Sequence, residues 1–328
     1  MKFLVIGCGS IGERHISNIR SILPDATIDA FDPQTERISI MSKKYNANPV
    51  PEKQIDSASY DCVFVCTPPS SHIELAKRAL NSGSNVLIEK PLSSSLEGTD
   101  DLKKLTSHRR LLAFVAYNFR FNKGINIVRQ MIMSGKLGRI SYASAYFGQY
   151  LPDWRPWQDY KKSYTASKNL GGGIIHDGSH EIDYLVWLFG KPNNIQCQFE
   201  FTDILSTDTE AVSDMLLHFE RNVLAHVHLD FVRREYRRSL EVLCEHGIIQ
   251  WSLSEDAVKT YDPSAKSWSI LKLNENVNDM YKAEIIHVLG CIKKKKKSSI
   301  INLENGTHTL VLSDAAQKSG QSGKRLSL

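Results

Sequence analysis

The sequence predicts an α/β protein: an N-terminal doubly wound parallel sheet, then a C-terminal α+β domain on a large, mostly antiparallel open sheet. Three observations carry this. Residues 1–117 alternate short apolar strands with helical stretches, the rhythm of right-handed crossovers. The first strand runs into Gly7-Cys8-Gly9-Ser10-Ile11-Gly12, a G-x-G-x-x-G spacing at the start of a helix. After residue 118 the pattern changes to successive alternating strands joined by short turns.

Residues 3–6 read as an apolar strand and 13–23 as a helix. Gly7 permits the tight turn between them, Gly9 lets a pyrophosphate approach the backbone, and Gly12 lets the helix pack closely on the strand. Ser10 and Ile11 stand at the helix start, where free N–H groups and a partial positive charge favour phosphate. A second strand, 27–31, ends in Asp32, twenty positions past Gly12 and suited to accept hydrogen bonds from ribose hydroxyls. Residues 34–45 have helical spacing. The continuous apolar run 62–66 is a strand covered on both faces. It ends in Thr67-Pro68-Pro69-Ser70-Ser71-His72, where the prolines stop a helix and a serine caps the next one, 73–81. Residues 85–88 form a strand ending in Glu89-Lys90-Pro91; 95–107 are helical and 111–117 form a sixth strand. Ligands collect at the carboxyl ends of such strands. That places the glycine turn, Thr67, Pro68, His72, Glu89 and Lys90 as dinucleotide contacts.

A helix over 123–134 leads into a strand over 140–150. A polar, aromatic loop, 151–170, carries Trp154, Arg155, Trp157, Tyr160 and Tyr164. Gly171-Gly172-Gly173 opens one strong helix over 174–189, closed by Gly190-Lys191-Pro192. Strands are expected over 195–205, 211–219, 223–232, 239–246 and 248–253, with short ones between 257 and 273. Late helices cover 279–292 and 303–319. The domains divide as 1–118 and 119–328, the last helix being free to pack back on the first domain.

Hydrophobic content of 41% and charged content of 23% are ordinary for a globular chain. The net charge of +5 owes much to the lysines at 293–297, read as a solvated loop, and it is too small to argue for nucleic acid. Six cysteines are scattered without C-x-x-C or metal-ligand spacing, so they read as reduced, buried thiols and no metal is expected. The chain opens on a core strand rather than a signal peptide, and no apolar run approaches membrane length. A cytoplasmic protein without a membrane partner is expected.

Two stretches carry chemistry. Lys90, held by a proline turn near a bound nicotinamide, could hydrogen-bond a substrate hydroxyl and stabilise a developing alkoxide; an ordinary surface lysine is the plain alternative. On a continuous helix, His176, His180 and Asp183 share a stripe, and Asp177 lies beside His180. An imidazole with a neighbouring carboxylate suits general acid–base work. His176 and His180 also have the spacing of a metal pair, but no H-E-x-x-H pattern is present. Trp154, Arg155 and Tyr164 suit a sugar by stacking and anion binding, with loop packing an equal reading. His226 and His228 read as the polar side of a strand that includes Asp230. Arg233, Arg234, Arg237 and Arg238 read as a solvated or subunit-facing turn.

Taken together, GCGSIGERH, CTPPSSH, EKP, YNFRFN at 117–122 and GGGIIHDGSHEIDYLVWLFG resemble the Gfo/Idh/MocA oxidoreductases, over nearly the whole chain. The resemblance implies a Rossmann domain, a second domain whose large sheet mediates a homodimer or homotetramer, and NAD(P)-linked redox chemistry at a secondary carbon of a sugar or cyclitol. It implies that Lys90 assists catalysis and that His180 accepts the proton, with an aspartate one turn earlier. Many members place that aspartate where this chain has His176; Asp177 stands one position later. Arg120, His176, Asp177 and His180 join Lys90, Trp154, Arg155 and Tyr164 as expected substrate contacts. The stretch around WRPWQDYKKSY resembles a branch tied to bacterial surface sugars, which points to an amino sugar or nucleotide sugar. Asp32 favours NAD, with NADP the alternative nucleotide. The rival functions are a non-enzymatic NAD-binding sensor and an enzyme that oxidises transiently to drive hydrolysis or elimination.

Overall fold

The computed structural model describes residues 1–296 and 299–328. The chain divides into two compact units, Met1–Asn118 with Val277–His308 and Phe119–Asn276 with Thr309–Leu328. Residues 277–308 thus belong to the first unit.

The first unit contains β1 (Lys2–Ile6), α1 (Ser10–Ile22), β2 (Thr27–Phe31), α2 (Thr35–Tyr45), β3 (Asn48–Pro49), α3 (Gln54–Ser57), β4 (Cys62–Val65), α4 (His72–Asn81), β5 (Asn85–Ile88), α5 (Thr99–Arg109) and β6 (Ala113–Val115). The strands form one parallel sheet in the order β3-β2-β1-β4-β5-β6. Phe3, Leu4, Val5, Cys62, Val63, Phe64 and Val65 are wholly buried. Cover on both faces explains why these strands read as unbroken apolar runs. The strand order reverses at β1 and β4, whose carboxyl ends lead into the glycine turn and Thr67. A crevice at such a reversal is the usual ligand position in open α/β sheets.

The second unit contains α6 (Lys123–Met133), β7 (Ile140–Gly148), α7 (Ile174–Asp177), α8 (Ser179–Phe189), β8 (Pro192–Glu200), β9 (Val212–Phe219), β10 (Leu224–Asp230), β11 (Arg237–Cys244), β12 (Gly247–Ser252), β13 (Ala257–Asp262) and β14 (Ser267–Lys272). The chain closes with α9 (Val277–Lys294), α10 (Leu303–Ser322) and β15 (Leu326–Ser327). A nine-stranded sheet runs β14-β13-β12-β11-β7-β10-β9-β8-β15, antiparallel except where β10 meets β7. Alternation sends Ala145, Val227, Leu240, Val242 and Trp251 to the buried face, and Ser144, His226, Glu241 and Gln250 to the other.

α9 packs on α1 in the first unit, where the Arg14 guanidinium lies 4.4 Å from the Tyr281 ring centre. Of the expected lysine loop, Lys293 and Lys294 instead close α9, Lys295 and Lys296 are exposed, and Lys297 lies outside the described residues. The six cysteines are unpaired, and all but Cys244 are buried. No described helix is long and apolar enough to cross a membrane.

The four arginines do not behave as one solvated turn. Arg238 shares its side of β11 with Leu240 and Val242, is 8% exposed, and its Nε donates to Glu181 at 2.8 Å. Arg234 and Arg237 lie over the rings of Tyr150 and Tyr146, at 3.5 and 4.5 Å. His226 Nε2 and His228 Nδ1 both approach Asp214 Oδ1, at 2.8 and 2.9 Å. Contacts to Asp230 and Asp214 raise the His228 pKa.

Candidate active site

In the first unit, the glycine turn is tight for steric reasons. Gly7 has φ +91°, and a Cβ there would lie 2.6 Å from the Cys66 carbonyl oxygen. A Cβ on Gly12 would strike the Gly7 carbonyl oxygen. Gly9 is different, because an added Cβ would meet only the Arg37 guanidinium, at 3.9 Å. The turn is therefore closed toward the sheet and open at Gly9, next to the first N–H groups of the thirteen-residue α1. This fits a pyrophosphate. Gly7, Gly9, Ser10, Ile11 and Gly12 could hold it. Burial, then Asp32, pushes the Cys8 thiol up to about 12, so it is no nucleophile.

Asp32 is 4% exposed and braces the same turn. Its Oδ2 accepts from the Cys8 amide at 2.7 Å, and its Oδ1 from the Gln34 amide at 2.8 Å. A carboxylate has further lone pairs for a ribose hydroxyl. Arg37 approaches Asp32 Oδ2 at 3.5 Å with 40% of its side chain exposed. Arg37, five positions past Asp32, lies outside the glycine-turn motif and was not among the expected contacts.

The other two turns are cross-braced. His72 is wholly buried, with Nε2 2.8 Å from the Thr67 carbonyl oxygen and Nδ1 2.9 Å from that of Pro91. It ties the 67–72 loop to the Lys90 turn. Glu89 is likewise turned inward: Oε1 lies 2.6 Å from His15 Nε2, and Oε2 accepts from the Lys90 amide at 3.2 Å. Through the second contact it frames Lys90, itself partly exposed. Behind it, Glu284 of α9 is fully buried, and burial together with Glu89 raises its pKa well above the usual carboxylate value. His15 and Glu284 were missed because neither has a local signature.

In the second unit the expected long helix is broken. Gly178 separates α7 from α8, and a Cβ on Gly178 would lie 2.7 Å from the Leu229 side chain and 2.9 Å from the Ile174 carbonyl oxygen. The break invalidates the single stripe. Asp183 points inward, where it holds Arg120 through two hydrogen bonds of 2.8 Å, both side chains at most 2% exposed. Burial raises the Asp183 pKa, against the pull of Arg120 and Thr309. Arg120 therefore anchors α8 from within, through Asp183.

The other residues of the set lie at the α7–α8 corner. The Tyr164 hydroxyl donates to Asp177 Oδ1 at 2.7 Å. His176 Nδ1 lies 3.2 Å from the Gly171 carbonyl oxygen. His180 stands against the Phe119 ring at 4.8 Å between centres, and Phe119 carries Arg238 at 4.5 Å. Trp154 packs with Phe147 and Phe231 and donates to the Gln149 carbonyl oxygen at 3.2 Å, which favours loop packing over ligand contact. Arg155 is partly buried beside it. Glu210, unmarked in the sequence, fills the space beside Gly173; its Oε1 accepts from the Ile175 amide at 3.2 Å. Burial, aided by Asp177, raises its pKa to about 7.

A family model described as "Oxidoreductase family, NAD-binding Rossmann fold" matches residues 1–117, and one described as "GFO/IDH/MocA C-terminal domain" matches residues 125–250. The uncharacterized oxidoreductase YhhX of Escherichia coli is 35% identical over 40% of this chain and 36% of its own. Several such matches span under half of the relatives' own length. The myo-inositol 2-dehydrogenase of Thermotoga maritima is 25% identical over 97% of this chain and 96% of its own. The crystal structure of the WlbA dehydrogenase from Bordetella pertussis, in complex with NADH and UDP-GlcNAcA, has a TM-score of 0.85 at 19% identity, covering 100% of this chain and 98% of that one. At that identity the likeness is one of fold.

Proposed function

The chain belongs to the GFO/IDH/MocA oxidoreductase family, and from that premise we propose that it is an NAD-dependent dehydrogenase or reductase acting on a secondary carbinol or ketone. The substrate class is a sugar, cyclitol or nucleotide sugar. One observation carries the reading: a glycine-hinged helix corner presents His176, Asp177 and His180 in a chain whose other unit holds a glycine turn open at Gly9.

In this reading the glycine turn holds the pyrophosphate and Asp32 the adenosine ribose, with Thr67 and Pro68 lining the next strand end. The nicotinamide, when bound, supplies the hydride acceptor or donor. His180 takes the hydroxyl proton in oxidation and returns it in reduction. Asp177, held by Tyr164, orients the imidazole. Lys90 donates to the substrate oxygen and stabilises its developing charge. NAD is the favoured nucleotide, because Asp32 repels a 2′-phosphate, and Arg37 leaves NADP as a slower alternative.

The full-length match to a myo-inositol 2-dehydrogenase supports a polyhydroxylated substrate. Arg155 and Tyr164 of the aromatic loop support the narrower reading of an amino sugar or nucleotide sugar in surface-polysaccharide synthesis. Unpaired cysteines support a cytoplasmic setting. Self-association through the open sheet face is part of the proposal. Trp268, Tyr261, Ile248, Leu243, Tyr142 and Leu224 are successive register partners there, each partly or well exposed. Such an apolar row calls for cover.

The test is a screen of sugars, cyclitols and nucleotide sugars with purified protein, read as NADH absorbance in both directions. A substrate with net, stoichiometric NADH formation or consumption is the expected result. Turnover without net change in NADH would contradict it.

A further inference from the structure

We propose that Glu210 is a positioning residue for Asp177: its carboxyl group, wedged against Gly173 and bonded to the start of α7, sets where the Asp177 side chain stands. The inference rests on the reading of Asp177 and His180 as the proton-handling groups.

The geometry is specific. Gly173 has φ +115°, and a Cβ there would occupy the place of the Glu210 carboxyl group. The Glu210 backbone oxygen accepts from the Ile174 amide at 3.2 Å, while its side-chain Oε1 accepts from the next amide, Ile175, also at 3.2 Å. One residue thus grips two successive N–H groups of the turn that carries His176 and Asp177. The far end of that turn is fixed by the Asp177 amide on the Gly173 carbonyl oxygen at 3.0 Å, and Tyr164 holds the Asp177 carboxylate. A shift of Glu210 therefore moves Asp177 with little slack.

The grip depends on charge. The groups facing Glu210 are Asp177 from α7, Gln317 from α10 and Cys197 from β8. Burial and the Asp177 charge favour the protonated acid, whereas the Ile175 amide and Gln317 favour the ionised one. The balance falls at about 7, so the proton on Glu210 is lost within the range where a dehydrogenase works. Ionised Glu210 adds a second negative charge beside Asp177, and the repulsion between the two carboxylates pushes the Asp177 side chain away.

Glu210→Gln keeps the acceptor oxygen and cannot ionise; Glu210→Ala removes the wedge. The ratio of Glu210→Gln to wild-type kcat/KM should be near one in acid and rise with a midpoint at about 7. Glu210→Ala should lose about tenfold in kcat at acid pH, with NAD binding retained by titration calorimetry. The melting temperatures of Glu210→Gln and wild type, without substrate, should diverge between pH 4.5 and about 7 and stay apart above it. A flat activity ratio overturns the proposal, whether or not the melting temperatures diverge. So does a Glu210→Ala enzyme with wild-type kcat. Full turnover by His180→Ala would instead overturn the reading beneath it, which keeps the two failures apart.

Discussion

The molecule contains two glycine-led helix starts, and they are built in opposite ways. At α1 the glycines avoid backbone on the sheet side, and the flank at Gly9 is left open. At α7 the space beside Gly173 is taken by the chain's own carboxyl group, Glu210, which accepts from an amide at the helix start. One turn is shaped to receive an anion from outside; the other already holds an acid from within. The difference teaches that a glycine-rich helix start is not by itself a ligand site. What fills the missing Cβ volume decides.

The largest break in this comparison is Gly12→Ala. The methyl group would strike backbone that cannot yield, and a stability loss of about 5 kcal/mol is expected by urea denaturation, enough to prevent folding. Gly9→Ala should fold within about 1 kcal/mol of wild type yet bind NAD about tenfold less tightly by calorimetry. Equal effects of the two would erase the distinction between a closed and an open flank.

Next is Arg120→Ala, which strips the Asp183 carboxylate, buried in α8, of its charged partner. A loss of about 4 kcal/mol is expected, because Asp183 stays behind uncompensated. If instead stability is unchanged and only KM rises, Arg120 is a substrate contact after all.

The third concerns pH. The Glu210 pKa is raised in the fold from 4.5 to about 7, so the fold favours the protonated form. The stability it contributes is complete below the unfolded carboxylate value and is lost as pH rises to about 7. Relative to Glu210→Gln, wild type should lose about 3 kcal/mol across that window, measured by denaturant titration at several pH values. A constant difference would show that Glu210 does not titrate there.

These cases show what could be read from residues alone. The first glycine turn was legible because every contact it needs lies in a strand, turn and helix that follow one another. The strands of the second sheet were legible from alternation. The same alternation could have placed Arg238 inside, since it shares parity with Leu240 and Val242. The break at Gly178 falls in a run with good helical spacing, and the Leu229 side chain that a Cβ there would meet stands on a strand far along the chain. Glu210, His15 and Glu284 act through partners tens of positions away. No local pattern announces such pairs.

The smallest expected effect sharpens the first turn. Arg37→Ala should lower kcat/KM with NADP about tenfold while leaving NAD within about twofold, measured with both nucleotides. An unchanged ratio would mean that Arg37 only balances the Asp32 charge.

The proposed redox chemistry rests most heavily on Lys90 and His180. Its most direct measurement is turnover and NAD affinity, side by side, for Lys90→Ala and His180→Ala. A fall of about a thousandfold in kcat for both, with NAD affinity within about threefold of wild type for His180→Ala, is the predicted result. Normal turnover in both variants would contradict it.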